Sequence, residues 1–102
     1  MSRASIVEQA PGELQLSGVL DFRSGPALRA QGGRLIGASR AEACVLDCSA
    51  VEKSSSVGLA LLLALLRDAQ AAGKSLSLRS LPQDMREIAK VSGLLEILPL
   101  QE

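Results

Sequence analysis

Leu46-Asp47-Cys48-Ser49-Ala50-Val51-Glu52-Lys53-Ser54-Ser55-Ser56-Val57-Gly58-Leu59-Ala60-Leu61-Leu62-Leu63 is the stretch that decides the fold. It joins an apolar, β-branched run to a strongly apolar helix through a serine-rich connection. Ala43 to Cys48 reads as a central strand buried on both faces. Ser49 to Ser56 reads as a polar loop, and Val57 to Ala72 as the strongest helix of the chain, closed by Gly73. The first amides of such a helix lack intrahelical partners and face the loop. Ser55 or Ser56 is placed to cap them, and the helix dipole favours negative charge at the same point.

Outward from this junction, the pattern keeps alternating. Ser5 to Glu8 is a short strand candidate, Pro11-Gly12 a turn, and Glu13 to Leu20 a period-two strand, so the first two strands form a hairpin. Arg23 to Ser39 has helical spacing at Leu28, Gln31, Leu35 and Ala38, with Pro26 suited to a first turn and Gly32-Gly33 a possible break. Beyond the central helix come a strand at Leu76 to Arg79, a helix opened by Pro82 that runs through Val91, and a last turn or two at Leu94 to Leu98. The order β-β-α-β-α-β-α-α implies one α/β domain over residues 1–102, with a four- to five-stranded mixed sheet and helices packed on it.

Composition narrows the chemistry. The 102 residues contain 11 basic and 11 acidic side chains and no histidine. A neutral chain has no general attraction for phosphate backbones or anionic lipid, and Phe22 as the lone aromatic offers no base-stacking platform. No nucleic-acid partner is expected. Without histidine, Ser-His-Asp and Cys-His catalysis and His-ligated zinc are excluded, and no Walker-type phosphate loop occurs. No enzyme activity and no cofactor are expected. Cys44 and Cys48, read on one strand, stand roughly 13 Å apart, too far for a disulfide; both read as free thiols, which fits a reducing cytoplasm. Met1-Ser2-Arg3-Ala4 leads into no apolar targeting core. The longest apolar run, Leu59 to Leu66, is too short to cross a bilayer, so direct membrane insertion is not expected. On a helical projection, Leu61, Leu65 and Ala69 widen the apolar arc of the central helix to roughly 200°, more than one sheet-facing stripe requires. Neighbouring helices or another protein must cover it.

The junction resembles the signature of the STAS domain family, the fold of anti-sigma factor antagonists and of sulfate-transporter tails. Leu46-Asp47-Cys48-Ser49 matches its hydrophobic-Asp-x-Ser strand end. Ser55-Ser56-Val57-Gly58-Leu59 matches its Asp-Ser/Thr-x-Gly-Leu helix opening, except that Ser55 stands in place of Asp. Ser17-Gly18-Val19-Leu20-Asp21-Phe22 resembles the family's Gly-x-Leu-Asp. Within the family, Leu20-Asp21-Phe22, Gly58 to Leu63 and Ile88 to Leu94 are most similar to the small cytoplasmic STAS subunits of Mla phospholipid-transport ABC systems. The resemblance implies a non-enzymatic subunit, cytoplasmic and peripheral to the inner membrane, that docks on an ABC transporter ATPase subunit. It places Asp21, Phe22, Lys53, Ser54, Ser55, Ser56, Val57, Gly58 and Ala60 at the partner contact, with Ser56 at the family's phosphorylatable Ser/Thr. The alternative it implies is an anti-sigma factor antagonist, switched by phosphorylation at Ser56 by a kinase-like anti-sigma factor. Cys48 and Asp47 read as structural, Asp47 as an acceptor of loop amides.

Overall fold

The computed structural model describes residues 4–101. The elements follow in the order β1 (Ser5–Ala10), β2 (Glu13–Val19), α1 (Gly25–Ala38), β3 (Ala43–Lys53), α2 (Ser56–Ala71), β4 (Ser75–Arg79), α3 (Gln83–Val91), a single 3-10 turn (Leu95–Ile97) and β5 (Leu100–Gln101). The five strands lie side by side in chain order. β1 and β2 form the expected antiparallel hairpin, and β2, β3, β4 and β5 run parallel.

A parallel sheet built in unbroken chain order has one structural consequence. Crossovers of one hand all land on the same face when the strand order never reverses. The strands accordingly alternate: Ile6, Leu14, Leu16, Leu46, Cys48 and Leu78 are buried in a single core with Leu28, Ile36, Leu62, Leu65 and Met85 of the helices. The opposite face is a half-exposed polar layer. Ser5 and Ser17 share a hydroxyl bond of 2.8 Å, Gln9 donates to Gln15 at 3.0 Å, and Arg79 stands 3.6 Å from Glu13 and 3.5 Å from Asp47.

This corrects two readings of the sequence. β3 is not buried on both faces: Cys44, Leu46 and Cys48 are buried while Val45 and Asp47 between them are half-exposed. Nor does a polar loop begin at Ser49. β3 continues to Lys53 because β2 goes on pairing with it, Ser17 with Ala50, Gly18 with Val51 and Val19 with Lys53, across two register shifts. Those shifts absorb the extra residues, and buried Val51 anchors the extension.

The helices depart less from expectation. α1 runs unbroken through Gly32-Gly33 because Gly32 is where α1 meets α2: a Cβ there would stand 2.7 Å from Leu65 Cδ2 and 3.1 Å from Ile6 Cδ1. The wide apolar arc of α2 is covered within the domain. Leu61 and Leu65 are buried, and Leu63 and Leu66 are half-buried against the core, with α1 and α3 packed on either side of α2. β5 was not foreseen as a strand, since two residues carry no alternation; it forms because Leu100 pairs with Leu78 and Gln101 with Arg79. Both cysteines are free and buried. Burial first, then the Asp47 carboxylate, pushes the Cys48 thiol up to about 12, so it stays protonated and inert at neutral pH.

Asp47 follows its expected role. Partial burial acts to raise its pKa, but the amide and hydroxyl of Ser49 and the Arg79 guanidinium outweigh it, and the net direction is downward from 3.8. The Ser49 amide donates to Asp47 Oδ1 at 2.9 Å. A depressed native pKa contributes stability that is complete above the unfolded value and lost as pH falls through the native one. Stability is therefore expected to drop in acid below about pH 4, and Asp47→Asn to flatten that limb in urea titrations run from pH 2 to 7. In the hairpin, Gly12 has φ +79, and a Cβ there would meet Ala41 Cβ at 2.7 Å and Ala43 O at 2.9 Å. Gly12→Ala combines strain with a clash on backbone and is expected to cost about 1–3 kcal/mol in denaturant unfolding.

Candidate functional site

Because β2, β3 and β4 are parallel, the three strand-to-helix connections meet at one end of the sheet. In α/β sheets this carboxyl end of the strands is where sites are commonly built. The nine residues proposed from sequence all fall in two of these connections and the first turns that follow them.

In the first connection, the turn before α1 is held by its own polar groups. The Asp21 carboxylate accepts from the amides of Arg23 at 2.9 Å and Ser24 at 3.1 Å. The Ser24 hydroxyl accepts from the Asp21 amide at 3.1 Å and donates to Val19 O at 3.2 Å. Asp21 thus shapes the turn, an Asx arrangement that fixes how α1 starts. Phe22, at the turn's tip, is 72% exposed, with the Arg23 guanidinium 5.6 Å from its ring centroid. A guanidinium at that distance from the ring centroid makes a cation–π contact at the surface.

The second connection is the serine junction. Lys53 ends β3, and its carbonyl accepts from the Leu20 amide at 2.9 Å, so the two connections are tied together. Ser55 has extended backbone and its Oγ accepts from Val57 N at 3.2 Å, making it the N-cap of α2. The replacement of Asp by Ser at this position keeps the cap and removes a charge. Ser54 folds back over Gly58, where a Cβ would stand 2.3 Å from Ser54 Oγ, 3.2 Å from Met85 Cε and 3.3 Å from Leu20 Cδ1. Gly58 is buried, and its missing side chain lets Ser54 close down on the helix. Ser56, Ala60 and Lys53 are exposed, Val57 half-exposed. The Ser56 hydroxyl has no hydrogen-bond partner among the described residues, unlike those of Ser54 and Ser55.

Two residues of the site lie outside the sequence reading. Asp84, in the first turn of α3, reaches across: its Oδ2 accepts the Ser54 amide at 3.2 Å, while Oδ1 accepts the Met85 amide at 2.8 Å. Met85 is fully buried beneath Gly58. A carboxylate on the third helix thereby fixes the loop that the sequence reading left without one. No spacing rule links residues 30 apart, so only the fold could reveal it. Asp21 and Asp47 belong to separate networks, one in the first turn and one on the polar sheet face. Among the described residues no three His, Cys, Asp or Glu side chains are grouped to hold a metal ion.

A family model described as "Mlab, STAS domain" matches residues 6–100. The chain belongs to the STAS domain family. Its structure is similar to the MlaB subunit in the Acinetobacter MlaFEDB complex in the ATP-bound Vtrans2 conformation, with 25% identity, TM-score 0.79, and coverage of 93% of this chain and 99% of that one. It is also similar to an anti-sigma factor antagonist from Mycobacterium paratuberculosis, with 27% identity, TM-score 0.75, and coverage of 96% and 83%. The unphosphorylated antagonist SpoIIAA shares the fold at 17% identity and TM-score 0.72, covering 98% and 89%. No curated protein sequence matches.

The Asp84 latch yields a direct expectation. Asp84→Ala removes the acceptor of the Ser54 amide and should speed hydrogen exchange at Ser54 by several-fold. Being an exposed contact, it should cost no more than about 1 kcal/mol of global stability. Amide exchange followed by NMR, with core amides of β3 as the unchanged reference, measures both.

Proposed function

We propose that the chain is a non-enzymatic subunit that binds and supports the ATPase of an ABC phospholipid transporter, of the kind that maintains outer-membrane lipid asymmetry. In this reading it is cytoplasmic and peripheral to the inner membrane through its partner. The observation that carries the reading is the near-complete mutual coverage with the MlaB subunit of the Acinetobacter complex: one small domain against one small domain, with 99% of that chain matched. The family model's description supports it, as does Ser55, which removes the carboxylate that usually precedes the phosphorylated residue.

The docking surface consists of Ser56, Val57 and Ala60 on the first turns of α2, flanked by Lys53, Ser54 and Ser55, with Phe22 beside them on the turn into α1. Asp21 and Gly58 hold this surface rather than touch the partner. No bond of the partner is broken or made by this chain. Binding one arrangement of the ATPase more tightly than another shifts its population, and that is sufficient for support or activation. No helix among the described residues is long and apolar enough to cross a membrane, so attachment runs through the partner.

A second reading keeps a specific observation in its favour. The 27% identity to the mycobacterial antagonist and the unpartnered Ser56 hydroxyl fit a module that a kinase-like anti-sigma factor phosphorylates. Co-purification from the native cell with mass spectrometry separates the two. With the wild-type chain an ABC ATPase and its membrane subunits are expected. Ser56→Asp puts a charge into a desolvated contact and is expected to weaken that binding by about 2–5 kcal/mol. Recovery of a kinase-like anti-sigma factor instead, with added phosphate on the chain by intact mass, replaces the transporter reading by the switch.

A further inference from the structure

The net charge is zero, but the charge is not evenly spread. α1 carries Arg29 and Arg34 and no acidic residue. α2 adds Arg67 and a single acid, Asp68, which Arg29 approaches at 3.4 Å while its own side chain remains 52% exposed. Arg67 is exposed and has no ion-pair partner among the described residues. Between the two helices runs a groove of ≈ 470 Å³, its apolar wall formed by Pro26, Val57, Ala60 and Ala64, with Arg29 and Arg67 also lining it. At one end it reaches Val57, next to Ser56.

The shape and charge of this groove select one kind of occupant. Its lining runs from Val57 to Arg67 along α2, about 15 Å, which holds close to three turns of a docked helix. Their backbone groups are engaged within each helix, so an extended peptide would find no ladder to join, whereas a helix brings its own hydrogen bonds satisfied. The small wall residues leave room for apolar anchors at i, i+3, i+4 and i+7. Arg67, which has no ion-pair partner among the described residues, calls for a carboxylate on the flank of those anchors, and Arg29, already engaged by Asp68, adds to the positive rim.

We propose that the groove between α1 and α2 docks an acidic amphipathic helix of a partner protein, as a second contact beside the serine junction. This holds for whichever partner takes the serine junction, and does not rest on the transporter reading.

The test uses the isotope-labelled full chain and two designed 14-residue helical peptides with the same Ala/Leu anchors, one flanked by Glu and the other by Lys. The acidic peptide is expected to give saturable amide shifts at Arg29, Val57, Ala60, Ala64 and Arg67, weakening as salt is raised. The Lys peptide is expected to give none there. Arg67→Glu should raise Kd about tenfold or more, and Ala60→Arg, which fills the wall, should do the same, each with an otherwise native spectrum. Equal shifts from both peptides, shifts centred on Val45 and Ser77 of the open sheet face, or no saturable shifts overturn the proposal. So does a dimer of the free chain that Arg67→Glu converts to monomer, because the groove is then filled by a second copy. Loss of ATPase co-purification in Ser56→Asp reports on the serine junction alone, so failure there and failure here are told apart.

Discussion

The missing Cβ of Gly58 is the constraint on which the exposed end of this domain depends. Only there can Ser54 close to within contact of α2 while Met85 and Leu20 pack beneath the same point. From that closure the rest follows in order. Ser54 presents its amide to Asp84, Ser55 is left in the extended conformation that caps α2, and Ser56 begins the helix with a free hydroxyl. Three helix starts and two strand ends are thus held together by one close approach and a few backbone bonds. A loop built in this way is not an independent flexible segment. It is positioned by the core, because Leu20 and Met85 beneath Gly58 belong to the buried cluster.

The same economy explains why one face of the sheet is polar. Strand order that never reverses puts α1, α2 and α3 on one side, and Leu61, Leu65 and Ala69 of α2 are then buried. The opposite face has no helix to meet and carries Ser, Gln, Arg and Asp that satisfy one another. Asp47 illustrates the result. It sits in a strand end whose neighbours Leu46 and Cys48 are fully buried, yet it faces solvent and spends its charge on Ser49 and Arg79.

Most of this architecture was legible in the residues because it rests on local rules: period-two alternation in β2, turn chemistry at Pro11-Gly12, and the helix opened by Pro82. The apolar run of α2 was legible as a helix, but its covering was not, since that depends on which elements pack beside it. What the residues hid was non-local in every case. Polar Ser49 to Lys53 forms strand because β2 supplies partners through two register shifts. Gly32, intrinsically unfavourable in a helix by about 1 kcal/mol, leaves the space that Leu65 occupies, and a Cβ on Gly33 would crowd Asp68. β5 exists only as a partner of β4. In the candidate site the serines and Phe22 were named through the family resemblance of their motifs, whereas the Asp84 latch joins residues 30 apart.

That latch alters how the motif at the helix start should be understood. The position immediately before Ser56 is an uncharged cap, and the negative charge near the loop comes from α3. A carboxylate in the cap position is tied to the serine beside it, and both move with the first turn of α2. A carboxylate on α3 instead ties the loop to a second helix through the Ser54 amide. A phosphate on Ser56 would gain from the α2 dipole while adding a second negative group to a loop that already faces Asp84. The balance at this junction thus favours an uncharged surface, while the cationic character lies on the adjoining faces of α1 and α2. The neutral serine end and the arginine-lined groove are consequently two surfaces of different chemistry, joined at Val57.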